Sequence, residues 1–170
     1  MRIHKIICVI IALLMLCGCG DIDSSVLSYA ERAFCADVEG QVDGLDFVAR
    51  VQVSAPSEDG TRDVRIEFSS PESLRGIVVT KDAEGTTVSL GGVALSNATA
   101  GGWLIIAQLL IPEGQVVSIK KAEGEAATAT VALDSKQTIV IDQNTGAPLE
   151  AAVDGVRSAR VKVMRFEPVE

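Results

Sequence analysis

Histidine is nearly missing from this chain: the only one is His4. Beyond position 4 no imidazole is available, which excludes Ser-His triads, Cys-His nucleophile pairs and His-ligated zinc. Cysteine is scarce as well. Three of the four fall in the first nineteen residues, leaving Cys35 alone in the remainder. A lone cysteine closes no internal disulfide, so the fold must stand without a staple. Cys35 reads as a small buried hydrophobe, with a reactive thiol or an intermolecular bridge as alternatives. No GxxxxGK[ST], GxGxxG or CxxC pattern occurs, and Gly91-Gly92 and Gly101-Gly102 read as turns rather than phosphate cradles. Aromatic residues make up 4 % of the chain, too few to fill a large barrel interior. No apolar run approaches the roughly twenty residues needed to span a bilayer.

What is present begins at the start of the chain. Arg2 and Lys5 form a short basic region, and residues 6–16 are an uncharged apolar stretch of signal-peptide size. The junction Leu16-Cys17-Gly18-Cys19 resembles the bacterial lipobox. That resemblance implies cleavage before Cys19, a diacylglyceryl group on its thiol and a further acyl chain, palmitate for example, on the new amine. Residues 1–18 are then a lipoprotein signal peptide, 19–24 a lipidated tether, and 25–170 one domain. Ordinary secretory cleavage, an uncleaved anchor and Cys17 as the lipid site are the alternatives. Two or three acyl chains hold a protein firmly, since each buried CH₂ contributes about 0.8 kcal/mol. Residues 1–18 contain two basic side chains and no acid. Removing them leaves 13 basic against 23 acidic residues, a net charge near −10. Such a body argues against nucleic acid and against adsorption on anionic lipid. Membrane attachment is then through the lipid on Cys19.

Val26, Leu27, Ala30, Ala33 and Phe34 recur at helical spacing, which predicts a helix over about 25–34 with Ser24 or Ser25 as N-cap. The period then becomes two. Leu45, Phe47, Ala49, Val51 and Val53 share one face of a strand, and Val64, Ile66 and Phe68 share one face of the next. Further strand signals surround the turns at 56–60, 71–73, 82–85, 123–124 and 142–148, predicting about nine or ten strands. Val117 and Ile119 are placed on one face by the same alternation. Residues 102–111 are apolar on nearly every side. They read as a short buried helix ended by Pro112 and capped by Asn97 or Thr99, with a buried strand as the alternative.

So many antiparallel strands must close, split or be covered. The expected fold is mainly β: one curved antiparallel sheet, or half-open barrel, with two short helices on its concave face. Phe47, Val51, Val64, Ile66, Phe68, Trp103 and Ile106 are the apolar side chains expected to meet inside. They would form either a filled core or a cavity for an acyl chain. Asp46 and Glu67 could serve as paired carboxylates, but their alternation with apolar residues marks a solvated face. Asp142-Gln143-Asn144 resembles half a calcium loop but lacks the closing glutamate, so it reads as a turn.

Two stretches resemble a known family: Phe34-Cys35-Ala36-Asp37-Val38 through Phe68-Ser69-Ser70-Pro71-Glu72-Ser73-Leu74-Arg75-Gly76, and Asp142-Gln143-Asn144-Thr145-Gly146-Ala147-Pro148. They are similar to small Gram-positive membrane-anchored and spore-germination lipoproteins with a LolA/LolB-like domain. The resemblance covers residues 25–168 and implies a half-open barrel around helices, which in larger members binds acyl chains. A chain tied to a membrane differs from the free carrier LolA, and the exposed loop residue on which LolB depends has no counterpart here. The expectation is a membrane-anchored, extracytoplasmic lipoprotein. It would act as a non-enzymatic binding or interaction module of the cell envelope, or as a lipid or lipoprotein carrier. No metal, cofactor or catalytic residue is expected, and the partners would be lipid or another envelope protein.

Overall fold

A computed structural model describes residues 24–96, 102–122, 124, 127–155 and 158–169. Phe34, Ala36 and Val38 are buried, while Cys35, Asp37 and Glu39 between them are half-exposed. That period of two makes residues 33–42 a strand. After a 3₁₀ helix at Ser24–Glu31, eleven strands and one α-helix follow: β1 (Ala33–Val42), β2 (Leu45–Val53), β3 (Val64–Ser70), β4 (Val78–Asp82), β5 (Gly85–Leu90), β6 (Val93–Ser96), α1 (Ile105–Leu110), β7 (Val116–Ala122), β8 (Thr128–Leu133), β9 (Gln137–Asp142), β10 (Pro148–Val153) and β11 (Ala159–Val169).

All eleven strands belong to one sheet in the order β6-β5-β4-β3-β2-β1-β11-β10-β9-β8-β7. Two antiparallel meanders meet where the first and last strands pair, Ala33 opposite Val169 and Val42 opposite Ala159. The sheet does not close, since β6 and β7 lie at opposite edges. The connection between those two edges must cross one face. It does so as α1, which packs mainly on β2, β9, β10 and β11. Its own residues Ile106, Ala107, Leu109 and Leu110 are buried against the sheet.

Bulges between Asp37/Val38, Val48/Ala49, Val116/Ser118 and Pro148/Glu150 interrupt the ladders. Each adds local bend and twist, which a sheet this wide needs in order to curl around a helix. At Gly40 β1 and β11 approach so closely that a Cβ would sit 2.2 Å from the Arg160 carbonyl oxygen. The α1 helix ends at Leu110, and Ile111 is extended (φ −102°, ψ 113°), as the residue before Pro112 must be to avoid the ring.

The curved antiparallel sheet with two short helices agrees with the sequence reading, and several details correct it. The first helix is 3₁₀ and stops at Glu31, because from Ala33 onward strand pairing on both sides claims the chain. Cys35 is half-exposed rather than buried, since Phe34 and Ala36 take the inward phase. Val117 points outward, 59 % exposed, while Val116 and Ile119 pack on the core. The bulge at Val116/Ser118 shifts the alternation there. Strands β1 and β6 raise the count above nine or ten. The cap of α1 is Leu104, with no side-chain hydrogen bond. Asn97, Thr99 and residues 1–23, including Cys19, lie outside the described residues.

Candidate binding site on the concave face

Strand alternation delivers five of the seven expected interior residues to the face covered by α1, and α1 with the turn before it supplies the other two. Phe47, Val51, Val64, Ile66, Phe68 and Ile106 are all buried, and Trp103 is half-buried against them. Three aromatic rings form an edge-to-face cluster: Phe68–Trp103 at 4.9 Å, Phe47–Phe68 at 6.2 Å and Phe47–Trp103 at 6.3 Å. Such geometry adds about 0.5–1.5 kcal/mol per pair beyond area burial. The seven residues therefore pack together as core, and the open space lies beside them.

One register row shows where the core runs out. Ala36, Val51, Ile66, Val79, Val88 and Leu95 are successive cross-strand partners from β1 to β6. The first four are at most 1 % exposed, Val88 is half-buried and Leu95 is 65 % exposed. The neighbouring pair Leu90 and Val93 is 53 % and 68 % exposed. The interior face of the sheet thus continues past the reach of α1 as an uncovered apolar surface on β5 and β6.

A cavity of about 630 Å³ opens between α1, the β2–β3 loop and the β4–β5 turn. Its apolar walls include Val64, Leu104, Ala107 and Ile111, and Arg62 and Lys81 supply positive charge. The volume falls within the usual range for small-molecule pockets. Of the seven expected residues only Val64 lines it. Arg62, Lys81 and Ile111 gave no signal in the alternation, because their roles depend on a loop and a helix brought together across the sheet.

Arg62 is held rather than free. Its Nη1 donates to the Ser54 carbonyl at 3.1 Å, and its Nη2 donates to the Ala30 carbonyl in the 3₁₀ helix. Burial pulls its pKa below the ordinary guanidinium value, with the neighbouring Tyr29 opposing. Tyr29 donates from its hydroxyl to the Leu110 carbonyl at 2.8 Å. Burial raises the Tyr29 phenol, and the Arg62 charge partly offsets that rise.

The outer face is polar and solvated. Glu67 pairs with Arg65 at 3.2 Å, Asp37 with Arg50 at 3.9 Å, and Asp46 accepts from Gln41 Nε2 at 2.9 Å. Asp46 and Glu67 lie on this face, apart from the cavity. At the β9–β10 turn the Asp142 carboxylate accepts the Asn144 amide at 2.8 Å, and the Gly146 amide donates to the Asp142 carbonyl at 2.8 Å. Both are turn bonds. Among the described residues no three metal-ligating side chains cluster, and no helix is long and apolar enough to cross a membrane.

An open, curved antiparallel sheet with a helix laid across its concave face is a LolA-like domain. Two solved structures agree at the level of fold. A conserved protein from Thermus thermophilus, described as uncharacterized, is similar over 86 % of each chain at 17 % identity, TM-score 0.52. MucB is similar over 89 % of this chain and 60 % of its own at 18 % identity, TM-score 0.50. A LolA superfamily protein from Nitrosomonas europaea aligns over 86 % of this chain and 93 % of its own at 10 % identity, TM-score 0.41. No protein-family model and no curated protein sequence matches the chain.

Proposed function

We propose that this protein is a lipid-anchored, non-enzymatic binding module of the bacterial cell envelope, held outside the cytoplasm through Cys19, whose concave face takes the acyl chain of a lipid or of a lipidated protein. The fold alone assigns no activity. The observation that carries the reading is a cavity of about 630 Å³ beside α1, together with the register row ending at Leu95, an apolar interior face that among the described residues is left exposed. Exposed apolar patches of this kind mark binding surfaces.

The anchor suits the role. Four residues, 20–23, separate the lipidated cysteine from the 3₁₀ helix, and the five steps from Cys19 to Ser24 reach about 18 Å at most when extended. The 3₁₀ helix touches the cavity wall through the Arg62–Ala30 bond. A ligand taken from the anchoring membrane therefore has a short path to the concave face.

The test uses the mature chain lacking the lipidated cysteine and a fluorescent long-chain fatty acid. Saturable binding is expected, with Leu95→Glu weakening it at least tenfold while leaving the melting temperature unchanged. Absence of saturable binding to the folded domain overturns the proposal.

A further inference from the structure

The cavity beside α1 carries a charge arrangement that an apolar ligand alone does not explain. Arg62 is half-buried at its wall, yet among the described residues no carboxylate lies within salt-bridge distance of it. The ion pairs of the fold involve Arg50, Arg65, Arg75, Lys162 and Arg165 instead. Two backbone carbonyls occupy part of its donor set. A guanidinium has five N–H donors, so others remain. A partly desolvated cation without a counter-charge is costly to maintain.

Among the described residues, none of the carboxylates that share the cavity forms an ion pair with Arg62. Asp63, Asp82 and Glu113 are all exposed. The Asp82 side chain is engaged by the amides of Glu84 and Gly85 at 2.8 and 3.1 Å. Lys81, exposed on the rim, lies directly opposite Val64 in the register and two residues from Val79 on the same strand face. Arg62 and Lys81 thus share the cavity with the apolar side chains of Val64, Ala107 and Ile111.

We infer that Arg62, assisted by Lys81, binds the anionic head of an amphiphile, a carboxylate or a phosphate monoester, whose tail lies along Val64, Ala107 and Ile111; this rests on the concave face taking an apolar tail. A planar guanidinium accepts either head in a bidentate, charge-assisted pair. The anion completes the missing counter-charge, and the head-to-tail polarity sets one direction of entry. Neutral tails gain only the apolar part of the site.

The test uses the full lipidated protein in phosphatidylcholine nanodiscs and decanoic acid carrying a terminal diazirine. Photolabelling of the peptides bearing Val64 and Ile111 is compared with that by the corresponding methyl ester, with inorganic phosphate as competitor. The acid is expected to half-saturate at least tenfold below the ester. Arg62→Gln should bring the acid to the level of the ester without changing the ester, and Arg62→Lys should restore most of the difference. Should Arg62→Gln unfold the domain, Lys81→Gln reads the same effect at an exposed side chain, weakening the acid alone by at least threefold. Equal labelling by acid and ester overturns the inference and leaves the acyl-binding function standing. Labelling by neither overturns both. Displacement of the acid by an equal concentration of inorganic phosphate shows a simple anion site and overturns the amphiphile.

Discussion

The side-chain amide of Gln137 donates to the Leu109 carbonyl at 2.8 Å, tying β9 to the end of α1. The same nitrogen lies 3.1 and 3.2 Å from the Gln108 and Ile111 carbonyls, and Oε1 accepts the Glu113 amide at 3.1 Å. A short helix ends with unpaired carbonyls, and burial makes each one costly. Gln137, 5 % exposed, is the buried polar side chain that answers them. Gln137→Ala leaves these groups unsatisfied and should lower stability by about 1–3 kcal/mol. A urea titration checks it, and an unchanged midpoint would show that water replaces the amide without cost.

Gly40 is required by close approach rather than by a turn. An alanine there would place its Cβ 2.2 Å from the Arg160 carbonyl oxygen and 3.0 Å from the Val161 Cα. Both are backbone atoms, so no side chain can swing away. Gly40→Ala should therefore separate β1 from β11, the seam joining the two meanders, and cost about 1–3 kcal/mol as overpacking does. Hydrogen exchange should show the loss first at Val161 and neighbouring β11 amides. Uniform exchange across the sheet would contradict this placement of the strain.

Much of the sheet was legible because one signal repeats in it. Phe47, Ala49, Val51 and Val53 alternate with polar partners, and so do Val64, Ile66 and Phe68, so faces and core follow from parity. Parity fails where a bulge intervenes, as at Val117, and where two readings coincide, as at Ala33 and Phe34, which fit helical spacing and strand alternation alike. Gln137 carried a signal that was not used: it sits in phase with Ile139 and Ile141, a polar residue at an inward position. Its partners, the carbonyls of a helix nearly thirty residues earlier, have no side-chain pattern. Arg62 has the same difficulty. Its partners, Ala30 and Ser54, offer backbone oxygens whose position only the folded chain defines.

The β2–β3 loop that presents Arg62 is organised by Asp59. Its Oδ1 accepts from Ser57 Oγ at 2.6 Å, Thr61 Oγ1 at 2.7 Å and the Thr61 amide at 3.0 Å. These bonds favour the carboxylate, the Ser57 bond most, and hold its pKa at about 2 against an ordinary 3.8. A depressed carboxylate pKa stabilises the folded loop fully above the unfolded value. That contribution begins to fall below about pH 4 and is gone once the pH passes through 2. The Thr61 amide resonance should titrate with a midpoint near 2 and lose the shift in Asp59→Asn. A midpoint at 3.8 would mean that the three bonds do not favour the charged form.

The proposed anchor at Cys19 would keep the concave face beside a membrane. Lipidation of its thiol would be followed by cleavage on its N-terminal side, so the mature protein should begin at residue 19 and carry acyl mass. Cys19→Ala should accumulate the full 170-residue chain without lipid. Cys17→Ala should mature normally, because cleavage before Cys19 discards position 17. Intact-protein mass spectrometry of the membrane fraction separates these outcomes. If Cys17→Ala blocks lipidation while Cys19→Ala matures, the anchor moves two residues upstream. The tether then lengthens from four residues to six, a reach of about 25 Å over seven steps. A normal mature mass without acyl chains in both variants removes the anchor altogether. The concave face would then belong to a free binding protein and would have to meet its ligand by diffusion.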